Sequence, residues 1–240
     1  PYFAEKYDRA LFKAFQNNNE ATFKKIISVP PLVSELDKDN AFKSVSKSIK
    51  ERIKVVDQTT SDIKNEDSTY NEDNIEDAFD WVQKQLNVSI INSLPNYFQS
   101  LRNQVANSVR NLSVNIFNAF DKSQLSLDII GYALEFDIDG LTKQKLTDDY
   151  NQIEEINDRH VEEERNAPIL RKYATVLIEL RGKLQAIENK TISATSINNW
   201  ITTSVSISEL NALNDVFDEI RNQLALGLRA LSVAVWNSYN

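Results

Sequence analysis

Hydrophobic residues recur at three- and four-residue steps along most of the chain, the period of one face of an α-helix. Residues 4–16 read as a short helix with Leu11, Phe12 and Phe15 on one side, and residues 20–28 as another with Phe23, Ile26 and Ile27. Pro30-Pro31 ends this pair, because proline removes a backbone donor and disfavours helix before it. A long helix is predicted over 32–64, carried by Phe42, Val45, Ile49, Ile53, Val56, Thr60 and Ile63. Residues 65–74 are polar and acidic and read as an exposed loop, with Asp73 or Asn74 placed to cap the next helix. That helix holds Ile75, Phe79, Val82 and Leu86, and Pro95 interrupts it.

The second half continues in the same way. Residues 96–120 carry an apolar face of Leu101, Val105, Val109, Leu112, Ile116, Phe117 and Phe120, with only Arg102 and Arg110 charged. So few charges predict a central helix with neighbours on most sides. Residues 123–136 are apolar and suit either a helix or a short strand pair, and Asp139-Gly140 marks a turn. An acidic helix over 141–165 points Leu146, Tyr150, Ile153 and Val161 inward. Asn166-Ala-Pro168 is expected to break it before an amphipathic helix at 168–189. Residues 191–208 hold no charge, and Asn198-Asn199 between β-prone flanks leaves open a hairpin near 191–207 or a loop. A last helix is predicted from Ser208, as its cap, to about Trp236, with a stripe from Leu210 through Leu213 to Val235.

With only four Gly and five Pro, tight turns are few, which disfavours an all-β fold. The expected fold is all-α: an elongated antiparallel bundle of about six to eight helices over residues 1–240 as one domain. A subdomain at 1–64 ahead of the acidic loop, or a split near 166–168, also fits the pattern. No run of 18 apolar residues is present, so no transmembrane segment is expected.

Charge narrows the partners. The formal net charge is −8, and residues 65–81 carry seven acids and no base while residues 121–165 carry 13 acids against five bases. Such faces repel nucleic acid, and the basic stretch Lys38–Lys54 reads as the solvated side of its helix. Without Cys there is no disulfide, thiolate metal site or Cys nucleophile. Without Met as well, the chain offers no sulfur to oxidants, which suits an extracellular life. Pro1 in place of an initiator Met reads as a trimmed chain whose leader has been removed.

Candidate chemistry is thin. The single His160 sits among acids on the helix at 141–165 and reads as solvated and salt-bridged. Glu135-x-Asp137-x-Asp139-Gly140 resembles the first half of an EF-hand calcium loop, but Leu146 stands where the bidentate Glu belongs. No catalytic residue, cofactor or metal site is expected. Asn87, Asn111 and Asn189 fit the N-glycosylation pattern; Asn111 reads as buried, which leaves Asn87 and Asn189. Asn103, Asn107, Asn111 and Asn115 form a ladder at four-residue spacing, unusual because Asn disfavours helix interiors; it suits a polar groove filled by neighbours or a ligand or partner face. Trp81, Trp200 and Trp236 read as core residues near helix ends.

The functional expectation is a secreted, non-catalytic binding protein for an extracellular macromolecule or an apolar small molecule. A membrane-active, pore-forming-like bundle contacting the membrane surface, and a self-associating structural or bulk secreted protein, are the alternatives.

Overall fold

A computed structural model describes residues 2–29, 38–65, 70–212 and 217–239. The described residues form helices and contain no β-strand. In chain order they are α1 (Tyr2–Gln16), α2 (Glu20–Ile27), α3 (Lys38–Ala41), α4 (Lys43–Lys64), α5 (Glu76–Gln85), α6 (Val88–Asn92), α7 (Gln99–Phe120), α8 (Ser123–Leu134), α9 (Gly140–Glu188), α10 (Ala194–Ser204), α11 (Ile207–Asn211) and α12 (Asp218–Tyr239). The all-α class therefore holds. Pro30-Pro31, the 32–37 start of the long helix, loop residues 66–69 and Leu213 lie outside the described residues.

Several expectations are corrected. Residues 123–136 resolve to helix α8, and the 191–207 stretch forms α10 instead of a hairpin, with the Ser193 side chain accepting from the Ser196 amide. Its apolar residues find helical neighbours in Ile187 and Leu231, and tertiary burial outweighs the β propensity of Ile and Thr. The helix predicted from Ser208 is two helices, and Ser206 caps the first by accepting from the Glu209 amide. Asn74 does not cap α5 with its side chain; it accepts from the Asn71 amide instead. Asn166-Ala-Pro168 does not end a helix, because α9 runs through Pro168. A proline interior to a helix forfeits one backbone bond and crowds the preceding turn, at about 3 kcal/mol. Additional breaks at Phe42 and at Leu86-Asn87 cut the chain into more helices than six to eight.

Contacts divide the chain into two compact units, residues 1–159 and 160–240. In the first, Leu11, Phe15, Val45, Ile49, Val105, Val109, Ile130 and Leu146 share one core. Its helices are not simply antiparallel. Ser108 donates to Asp57 at 2.5 Å, Lys50 and Leu101 line one groove, and Thr59 and Leu112 line one cavity. Positions on α4 and α7 thus rise together, and the two run the same way. This is allowed because α5 carries the chain back along α4, where the Arg52 guanidinium donates to the Gln85 carbonyl. α8 then returns along α7, where Ser113 donates to the Ser126 carbonyl at 2.7 Å.

In the second unit, Tyr173 packs with Leu210 and Leu224, and Ile187 packs with Ile197 and Leu231. The end of α9 therefore runs up, α10 and α11 run down, and α12 runs up again. At its crossing with α9, α12 carries Gly227. A Cβ there would lie 2.9 Å from both Leu180 methyls, so a residue without a side chain sets this close approach.

Between Ile153 and Tyr173 no residue of α9 is buried. That stretch keeps helical form without a core face, with Arg159 Nε donating to the Glu155 carbonyl at 3.4 Å.

Candidate functional site

The asparagine ladder is spent largely on its own helix and its neighbour. Asn107 and Asn115 each donate to the carbonyl four residues back, Asn103 and Asn111, at 2.8 Å. Asn103 accepts from the Asp139 amide at 3.1 Å and donates to the Asp139 carboxylate. Asn111 is exposed, which corrects the reading of it as buried. Its side chain accepts from Arg110 at 2.9 Å.

The EF-hand-like run is tied into the same junction. Asp139 Oδ1 accepts from the Thr142 amide at 2.8 Å and so caps α9, and this hydrogen bond first of all holds its carboxyl below the usual carboxylate range. The Asp137 carbonyl accepts from Gln99 and from Arg102 Nε, both at 2.8 Å.

Arg102 is the residue that pattern reading passed over. Its side chain is 0% exposed. Nη1 donates to the Leu94 carbonyl at 2.9 Å and Nη2 to Gln99 Oε1 at 2.9 Å, and the exposed Asp137 carboxylate lies 3.4 Å away. A buried guanidinium is tolerated when its donors are met, and here they clamp the end of the α6 region to the α8–α9 turn. The available signal was a lone charge inside an otherwise apolar seam.

His160 lies half-buried on α9. Among the described residues no group of three His, Asp or Glu side chains is placed to hold a metal. The sequon residues differ in setting. Asn87 is half-buried and caps α6 by accepting from the Ile90 amide at 3.0 Å. Asn189 is exposed in the turn after α9, where Lys190 adopts φ 54°. Thr191 and Lys190 amides bond back to Ala186 and Ile187 at 2.8 and 2.9 Å, the two-bond closure that usually employs Gly.

The surface feature with the clearest chemical character is on α12. Leu224 and Leu231 are buried against the second unit's core. On the opposite side Leu226 is 65% exposed, Val233 53% and Trp236 67%. Trp236 is thus no core residue, unlike the half-buried Trp81 and Trp200. Leu226 and Val233 are one heptad apart with Ala230 between them, so they share a face. Beside it an open groove of about 690 Å³ is lined by Leu184 and Glu188 of α9 and Arg229, Val233 and Asn237 of α12. A helix apolar on all sides normally has neighbours on all sides. Covering what remains exposed of Leu226 and Val233 would gain roughly 1–2 kcal/mol each.

A more enclosed cavity of about 80 Å³ lies between α4, α5 and α7 at Thr59, Trp81 and Leu112. That is room for a water or two, well below the several hundred Å³ of a small-molecule pocket.

Comparison with known protein families, with curated proteins and with solved structures finds no match to this chain.

Proposed function

We propose that the chain is an extracellular, non-catalytic binding protein that recognises a macromolecular partner through the outer face of α12 and the adjoining wall of α9. The observation that carries this reading is the exposure of Leu226, Val233 and Trp236 on a helix whose inner side is already apolar. Contiguous exposed apolar surface is characteristic of interaction sites. The groove beside α12 is an open trough and not an enclosed pocket, which favours a macromolecule over an apolar small molecule, since small ligands are held where most of their surface is buried. The asparagine ladder contributes less, because its amides are engaged by backbone and by Asp139.

Extracellular placement is supported by the absence of Cys and Met and by the exposed acceptor at Asn189. A glycan is expected there in preference to Asn87, whose side chain is occupied as a cap.

A second reading, contact with a membrane surface, draws on the same face. Trp236 and Tyr239 are exposed near the end of α12, and amphipathic aromatics favour bilayer interfaces. Among the described residues no helix is long and apolar enough to cross a membrane.

The experiment is the mass of the protein from its natural source, native and then denatured, against 27.4 kDa. Native mass above this value and lost on denaturation is expected, and it should disappear when Leu226→Asp and Val233→Asp are combined. A bare 27.4 kDa chain under native conditions, unchanged by the double variant, would overturn the reading. Added mass that survives denaturation should map to Asn189.

A further inference from the structure

We infer that the occupant of the α12 face is a second copy of this chain, docked by two-fold symmetry with the two α12 helices antiparallel. The inference rests on the binding reading above and names the partner. Leu226, Ala230 and Val233 supply a seam that can pair with itself, as a two-fold interface requires the same patch from both molecules.

Charge selects this occupant over others. After Arg221, the only charged residue of α12 is Arg229. The only charged residue on the α9 wall of the groove is Glu188. Neither has an ion-pair partner among the described residues. Arg229 and Asn237 lie four residues on either side of Val233, about 6 Å along the axis in each direction. Leu180 abuts Gly227 and the Ile192 carbonyl accepts from the Tyr239 hydroxyl, so α9 and α12 run in step and Glu188 of this groove lies beyond Val233 on the Asn237 side. A two-fold axis at Val233 therefore sets Arg229 of each copy against Asn237 and Glu188 of the other, twice. The groove holds one cation and one anion, displaced along the helix in the sense that self-docking needs.

Net charge agrees. Residues 160–240 carry nine acids against eight bases, whereas residues 1–159 carry 26 against 19. The second unit approaches its own copy nearly without like-charge repulsion, and the first does not.

The test is sedimentation velocity of the purified full chain from about 1 to 500 µM, the range that spans weak to moderate association. Wild-type protein should convert to a species of twice 27.4 kDa as concentration rises. Arg229→Glu and Glu188→Arg should each weaken the dimer about tenfold or more, since each reversal places two like-charge contacts in the interface. The double variant carrying both should restore the dimer. Both positions are exposed, and circular dichroism will verify that each variant keeps its helices. A wild-type monomer across the whole range, or a double variant no tighter than the single ones, overturns the inference. So does a monomer that co-sediments with phosphatidylcholine vesicles and loses this on Leu226→Asp, an outcome that assigns the face to membrane. A heteromeric complex from the natural source alongside a monomeric purified chain would overturn the second copy while leaving the binding reading in place.

Discussion

α7 and α12 are both 22 residues long, both poor in charge, and both carry long apolar stripes. Nine residues of α7 are buried, including Arg102, Ser108 and Ser113. Only Leu224 and Leu231 of α12 are buried. α7 lies among α4, α8 and the start of α9, so even Arg102, Ser108 and Ser113 are covered and find partners. Among the described residues of its own unit, α12 packs through the side that carries Leu224 and Leu231, and a Leu, a Val and a Trp on its other side stand exposed. Similar composition yields a core helix in one unit and an uncovered one in the other. What differs is the number of neighbours, and that is the reason to look for an external partner at α12 and not at α7.

The largest way to sharpen this comparison is to shorten a leucine on each helix. Leu112→Ala on α7 should cost about 2–5 kcal/mol, because a fully buried side chain leaves a cavity. Leu226→Ala on α12 should change the stability of the dilute chain by less than about 0.5 kcal/mol. Arg102→Ala should join the severe class, at about 3 kcal/mol or more, since it empties the buried space of a large side chain, strands the Leu94 carbonyl and leaves the Asp137 carbonyl to Gln99 alone. Urea unfolding followed by circular dichroism measures all three, and a costly Leu226→Ala in dilute monomer would break the contrast.

A smaller effect comes from two glycines of the second unit. Gly227→Ala places a methyl 2.9 Å from Leu180. Overpacking should outweigh the gain in helix propensity and leave a net loss of about 1 kcal/mol. Gly182→Ala meets nothing within 4 Å and should stabilise by about 0.5–1 kcal/mol. Thermal melts of the two variants should move in opposite directions, and a shared direction would show that Gly227 does not set the approach.

The smallest effect is titration of the tie between α9 and α11. Glu209 accepts from Lys172 and, at 2.8 Å, from the Tyr173 hydroxyl. The Lys172 and then the Tyr173 hydrogen bond hold its carboxyl below the ordinary value of 4.5. A carboxylate favoured in the folded state contributes stability above its unfolded pKa and loses it as pH falls through the folded one. Glu209→Gln should therefore lower the melting temperature slightly at pH 7, and the gap from wild type should close as pH drops below 4.5. A gap that persists unchanged into acid would mean the carboxylate charge is not what joins the helices.

Much of the fold was legible in the chain. The stripe from Phe42 to Ile63 predicted α4, and that from Leu101 to Phe120 predicted α7, because a 3.6-residue period survives whatever the neighbours are. Breakers were read less well. Pro168 marked an end that α9 does not have, since a helix can absorb one lost bond. Asn198-Asn199 marked a turn that α10 replaces with helix, since a core was waiting for Ile197 and Trp200. At the candidate sites, the Asn ladder was visible as spacing but not as satisfaction, because an amide's partners depend on rotamer and neighbour. Trp236 looked like Trp81 and Trp200 until its surroundings were known.

The sequence by itself determined that this protein is helical, free of sulfur chemistry, acidic in its first two thirds and nearly neutral beyond. These properties are sums over residues or local periods, and they need no knowledge of contacts. Tertiary structure alone decided that α4 and α7 run the same way, that Arg102 is buried and met, that Gly227 admits Leu180, and that one side of α12 is left uncovered. Each of these depends on which helices become neighbours. That choice rests on apolar area and side-chain shape brought together from distant parts of the chain, which no local pattern encodes.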